Sequence, residues 1–213
     1  LAKIEGGVII RNTAGMPGRI FNGRVAPVVP YAVKGFLFYQ GESNAGTGED
    51  PRNYRLKQRA LVEGWRSVWK RDDLPFYFVQ LPSYNDSAKG WVRLREEQRL
   101  SLEIPNTGMA VTIDLRDQDI HPSNKVDVGR RLAKWALART YGKAMVFSGP
   151  LFKAVKIEES ELRVSFDHAD DGLMIARKEG IAAAVEEEGG KLGHFELADN
   201  LGRWHGAEAT IEG

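Results

Sequence analysis

The chain has no cysteine, which excludes disulfide staples and thiolate metal sites and leaves the redox compartment open. It has no excess of one charge either. With 30 Lys+Arg against 29 Asp+Glu and no basic stripe, nucleic acid is not an expected partner. No apolar run approaches the roughly 20 residues of a membrane span, so no membrane partner is expected. Internal repeats of solenoid period and low-complexity tracts are absent as well, which sets aside stacked-repeat and linker architectures. The chain begins at Leu1 with no signal-peptide pattern, and the expectation is a processed, excised or incomplete product. Its 213 residues suffice for one large domain or two small ones with a real core.

What is present is organised around Gly35-Phe-Leu-Phe-Tyr-Gln-Gly-Glu-Ser-Asn44. Residues 36–39 read as a short buried strand that stops at polar residues, a glycine and a carboxylate. Upstream, residues 1–24 form a glycine-rich lead-in with a strand candidate at 8–10 and a turn signal at 15–18, and the prolines of residues 25–30 favour extended chain. Downstream, residues 53–70 read as a helix with Tyr54, Leu61, Trp65 and Val68 on its apolar face and arginines and lysines opposite. A buried strand at 74–81 follows, then a helix at 91–102, a strand at 109–113 ending in Asp114, and a helix at 126–141 closed by Gly142. Trp65, Trp69, Trp91 and Trp135 fall at helical spacing and read as core. This alternation is that of an α/β fold with a parallel sheet and helices packed on it. Each strand ends in polar residues on one edge, where open α/β sheets hold their ligands. Past Pro150 the texture changes to alternating, half-exposed antiparallel strand, as at 161–166. A boundary near Ser148 divides the chain into 1–148 and a small β-rich segment, 149–213.

The second informative stretch is Asp114-Leu-Arg-Asp-Gln-Asp-Ile-His-Pro122. Three aspartates precede one histidine closely, which suits a general base whose imidazole is oriented by a carboxylate. His121 is the candidate base. A lone histidine before proline in an acidic loop also fits a solvated turn residue. Asp114, Asp117, Asp119 and His121 could furnish a divalent-cation site, but the spacing matches neither the calcium loop nor the His-Glu-x-x-His pattern. His168, His194 and His205 read as solvated or structural.

Six separated blocks carry a family resemblance: Tyr39-Gln-Gly-Glu-Ser-Asn-Ala45, Trp65-Arg-Ser-Val-Trp69, Leu74-Pro-Phe-Tyr-Phe-Val-Gln-Leu81, Leu94-Arg-Glu-Glu-Gln98, Asn106-Thr-Gly-Met-Ala-Val-Thr-Ile-Asp114, and Asp119-Ile-His-Pro-Ser-Asn-Lys125 with Val128-Gly-Arg-Arg-Leu-Ala133. From about residue 22 to 150 the chain resembles the sialate O-acetylesterases, SGNH (GDSL-like) hydrolases. The resemblance implies a three-layer αβα, flavodoxin-like fold over 1–148, followed by the start of the β-rich region of bacterial members. It implies serine-based removal of O-acetyl groups from sugars such as sialic acid, no cofactor, an acetylated carbohydrate as partner, and a periplasmic or secreted location. Under it His121 matches the catalytic histidine, Asp119 the acid two residues before it, and Gln40 an oxyanion-hole side chain with Gly41 beside it. Glu42 orders that loop, and Ser43 stands with these residues on the substrate side.

One departure stands against these agreements. The family's nucleophile lies in an early Gly-Gln-Ser-Asn-type block, and no such block occurs here. Ser43 imitates it but aligns with the later loop. The expectation is therefore a fragment, cut short at both ends, that needs an N-terminal segment or subunit bearing the serine. The alternative is a non-catalytic carbohydrate-binding or interaction module on the same scaffold.

Overall fold

A computed structural model describes residues 3–5, 8–10, 18–46, 48–84, 90–115 and 119–212. Residues 15–17 of the expected turn, residues 85–87 after the second strand, and Asp117 lie outside the described residues. A hairpin pairs β1 (Lys3–Glu5) with β2 (Val8–Ile10), the strand expected at 8–10. Residues 25–30 depart from the extended chain expected of them. Phe21–Val25 and Ala26–Val28 are helical turns, and Val29 after them is extended. Pro27 stands at the start of the second turn, where its missing N–H removes no helical bond, so proline there permits a turn as readily as a strand.

The core is a parallel sheet in the order β3 (Phe36–Phe38), β4 (Phe76–Val79), β5 (Thr107–Ala110). All four residues of β4 are buried, because both faces of the sheet are covered. Its alternation sorts them. Phe76 and Phe78 pack with Met109, Ile104 and Val62 of α1 (Tyr54–Trp69), while Tyr77 and Val79 pack with Ala110 and with Val128, Leu132 and Trp135 of α3 (Lys125–Trp135). Helix, sheet, helix is thus the layering. Each fully buried phenylalanine contributes ~1.5–3 kcal/mol to holding it. α2 (Trp91–Leu100) lies against α1, and its Trp91 and Leu94 join Tyr54, Leu81 and Ala45 in a third cluster over the carboxyl ends of the strands.

The helix faces differ from the sequence reading in one respect. The buried stripe of α1 is Tyr54, Gln58, Val62 and Arg66, with Leu61 and Trp65 half-buried beside it. Arg66 was expected among the solvated cations. Instead it donates to the carbonyls of Leu74 at 2.9 Å, Pro105 at 2.7 Å and Asn106 at 3.4 Å, just ahead of β4 and β5, the last of which also accepts the Phe76 N–H at 3.0 Å. Buried carbonyls demand donors, and a guanidinium supplies several in a fixed fork. Trp91 and Trp135 are buried, and Trp65 and Trp69 each meet the Phe36 ring edge-on at 4.9 Å, so these four pack with the core as expected, while Trp204 is exposed.

α3 continues through the helical turn Ala136–Thr140, and Gly142 with φ 67° ends it. Beyond it the chain is β-rich. Three antiparallel hairpins follow: β6 (Leu151–Glu158) with β7 (Glu161–Asp167), β8 (Ala176–Arg177) with β9 (Val185–Glu186), and β10 (Phe195–Ala198) with β11 (Trp204–Ala207). This part is not detached from the sheet. Leu151 packs on the α1 side of the core, and the His168 ring meets Phe147 and Trp135 at 5.0 and 6.1 Å. No helix among the described residues is long and apolar enough to cross a membrane.

Candidate active site

Beyond β5 the chain is fastened at Thr112 and Asp114. Thr112, wholly buried, donates its hydroxyl to the Gln80 carbonyl at 2.6 Å and joins the ends of β4 and β5. Asp114 accepts both arms of Arg131 on α3 at 2.5 and 2.6 Å, and that carboxylate raises the Arg131 pKa. Asp114 therefore anchors the loop and is not free for a metal or for His121. At 119–121 the side chains alternate. Ile120 turns in against the Ala45–Leu81–Trp91 cluster, and its neighbours turn out. The Asp119 carboxylate oxygen accepts the His121 backbone N–H at 2.8 Å and lies 3.0 Å from the ring Nδ1. A carboxylate at Nδ1 selects the tautomer whose Nε2 is free to accept a proton. Both side chains are about two-thirds exposed, 66% for His121 and 68% for Asp119, and with Tyr84 and Ile120 they line an open cavity of about 320 Å³.

The Gln40 loop is held from beneath. The Gln40 carbonyl accepts the Tyr54 hydroxyl at 2.8 Å and the Gln98 amide at 3.3 Å. Gln98 is 1% exposed, and it also accepts the Leu81 N–H at 2.9 Å and donates to the Val79 carbonyl at 3.3 Å. One buried amide thus ties the ends of two strands. Burial pushes the Tyr54 hydroxyl pKa up to about 12, so the phenol stays a donor. Above this floor, Gln40 Nε2 donates to Asn44 Oδ1 at 2.8 Å, and Gly41 N–H donates to Glu42 Oε2 at 2.9 Å. A Cβ on Gly90, which precedes α2, would come within 2.0 Å of the Ala45 carbonyl oxygen, so glycine there lets the loop dock on the helix start.

Gln40, Gly41, Glu42 and Ser43 lie on the same sheet edge as His121 and Asp119. Ile120 and Ala45 share one cluster, and Lys125 holds its ammonium 5.1 Å from the centre of the Tyr39 ring. The cavity beside the histidine is lined from the 119–121 loop and Tyr84, and not by these four residues. Ser43 is exposed in a short turn, and among the described residues no hydrogen bond joins it to His121. No cluster of three or more metal-capable side chains occurs among the described residues. Sequence reasoning passed over Gln98, Tyr54, Thr112 and Tyr84. Gln98 carried a signal: seven residues after Trp91 and four after Leu94, it falls on the buried face of α2, and a polar residue there must have partners.

The family model described as carbohydrate esterase, sialic acid-specific acetylesterase matches residues 20–138. The mouse sialate O-acetylesterase is 36% identical over 172 residues, 70% of this chain and 31% of the mouse protein. The human sialate O-acetylesterase is 34% identical over 160 residues, 65% of this chain and 30% of the human one. The chain spans about a third of the length of these curated relatives. A crystal structure of a carbohydrate acetylesterase from Xanthomonas citri superposes with a TM-score of 0.78 at 34% identity, covering 91% of this chain and 43% of that one.

Proposed function

The chain belongs to the sialic acid-specific acetylesterase family of carbohydrate esterases, and from that membership we propose that it supplies the base and the oxyanion-binding loop of an enzyme that removes O-acetyl groups from sugars such as sialic acid. The observation that carries this reading is the 3.0 Å contact of His121 Nδ1 with Asp119, beside an open cavity at the carboxyl edge of the sheet. His121 Nε2 takes the proton of a serine hydroxyl as its oxygen attacks the acetyl carbonyl. Asp119 steadies the imidazolium. The tetrahedral oxyanion needs donors, and the Gln40 amide has two N–H bonds, one given to Asn44 and one to spare. Gly41 N–H is engaged by Glu42, which leaves Gln40 as the principal donor of this loop. The imidazolium then protonates the departing sugar oxygen, and water, deprotonated by the same ring, releases acetate from the acyl-serine.

The serine comes from a segment outside this chain. Ser43 is the first serine in the sequence, and among the described residues no hydrogen bond joins it to His121. β3 has a ladder partner on one side only among the described residues, and Leu37 at its centre is exposed. A further strand pairing with that edge would end beside Gln40 and could carry the nucleophile. The test is acetate release from an O-acetylated sugar and from an aryl acetate. Activity is expected only when the serine-bearing segment accompanies the chain, and His121→Ala should lower it by at least ~10³-fold. Inactivity of both forms with sugar binding retained would favour a non-catalytic binding module. Hydrolysis by the chain alone, stopped by Ser43→Ala, would make Ser43 the nucleophile.

A further inference from the structure

His121 and Asp119 stand about two-thirds exposed on the loop that bears them. Among the described residues that loop is anchored by Asp114 before, Ile120 within and Asn124 after. Asn124 caps α3, its Oδ1 accepting the Asp127 N–H at 3.1 Å and its Nδ2 donating to Asp127 Oδ2 at 2.6 Å. The same Nδ2 reaches the Gly180 carbonyl at 2.9 Å, 56 positions along the chain. Lys178 meets Asp127 Oδ2 at 2.7 Å, and its ammonium also donates to the carbonyls of Gly180 at 3.1 Å and Ala182 at 2.7 Å. Arg130 donates to Asp127 at 3.2 Å and to the Ile181 carbonyl at 3.0 Å. The Lys178 and Asp127 side chains are 13% and 10% exposed. With Lys178 first among its partners, Asp127 has its pKa drawn down to about 2.

We propose that residues 178–182, between β8 and β9, form a clasp on the first turn of α3 that holds the His121 loop in register, which makes Lys178 a positioning residue for the base. Its role presupposes that His121 is the base of the reaction. A closed network explains why one amide, one carboxylate and one ammonium are all shared between the helix and a loop of the β-rich part. A cap alone needs only Asn124 and Asp127. The extra contacts tie that part of the chain to the catalytic edge. Release of the clasp loosens the helix start three residues after His121 and widens the range of imidazole positions, a change that acts on the chemical step more than on sugar binding.

The experiment uses the enzyme together with its serine-bearing segment, with competent sites counted by organophosphonate titration so that kcat refers to folded enzyme. Lys178→Met is expected to lower kcat on an aryl acetate by ~10-fold or more with KM changed less than about twofold, since small misplacements of a catalytic group cost rate. Lys178→Arg should restore most of the loss. Arg163→Met, which breaks only the exposed ion pairs with Glu158 and Glu212, should leave kcat unchanged. If Lys178→Met fails to fold, Arg130→Met removes the Ile181 contact and one contact to Asp127 but leaves Lys178 in place, and should lower kcat by a smaller factor. Wild-type kcat in both clasp variants, with His121→Ala inactive, overturns the clasp and leaves the base assignment standing. Retained activity in His121→Ala overturns the base assignment itself.

Discussion

Replacing Gln98 by leucine tests the floor under the catalytic edge. The two side chains are similar in size, so the change is chiefly one of hydrogen bonding. Leucine strands the Leu81 N–H, which Gln98 accepts at 2.9 Å, and the Val79 carbonyl, to which it donates at 3.3 Å. The Gln40 carbonyl keeps the Tyr54 hydroxyl and loses only its second donor. A buried polar group left without a partner costs ~1–3 kcal/mol, so two of them, less a small apolar gain, give a loss of about 2–4 kcal/mol. In a chain of this size that corresponds to a fall in Tm of about 5–12 °C. The assay is thermal and urea unfolding followed by the fluorescence of Trp91, which is buried on the same helix. Gln98→Glu sharpens the test. A carboxylate still accepts from Leu81 but faces two carbonyls, so burial raises its pKa, and the variant should gain stability as pH falls and the acid becomes a donor. Loss below about 0.5 kcal/mol for Gln98→Leu, with no pH response for Gln98→Glu, would refute the reasoning, since surface changes alone give that much.

Three other outcomes are expected. Asp119→Asn keeps the size of the side chain but removes the charge at His121 Nδ1, and kcat in the completed enzyme should fall ~10²–10⁴-fold with KM little changed. Gly108→Ala places a methyl group 2.4 Å from the Trp135 ring, and overpacking of this kind costs ~1–3 kcal/mol, read as a shift in the urea midpoint. Asp127 has a folded pKa of about 2, below its unfolded value of 3.8, so its contribution is complete above about pH 4 and is lost as pH falls from there towards 2. Asp127→Asn should therefore lower stability at neutral pH by about 1–2 kcal/mol and flatten the pH dependence within that window.

Much of the layering was legible because it is written in local pattern. Phe76-Tyr-Phe-Val79 reads as a strand buried on both faces, and the helices that cover it carry their apolar residues at helical spacing. The contact of His121 with Asp119 lies in a run of three aspartates before one histidine, and it was the family resemblance that picked Asp119 from that run. Arg66 and Gln98 were not legible, because each is a polar residue on a helix whose partners are backbone groups made neighbours only by the fold. The clasp was invisible for the same reason, since nothing local marks Lys178 as the partner of Asp127. Asp114 shows the converse. Its place in an acidic run pointed towards His121 or a metal, and it is Arg131 on the following helix that claims it. At residues 25–30 proline was compatible with two backbone states, and the chain takes the turn.

The central claim is that the Gln40 loop and the His121–Asp119 pair serve one reacting carbonyl. A crystal structure of the completed enzyme inhibited by an organophosphonate tests it most directly, because the covalent phosphonyl group mimics the tetrahedral intermediate. The expected result is an adduct on a serine of the accompanying segment, its ester oxygen within hydrogen-bond distance of His121 Nε2 and its phosphonyl oxygen accepting from the Gln40 amide. An adduct on Ser43, or one remote from both side chains, would contradict it.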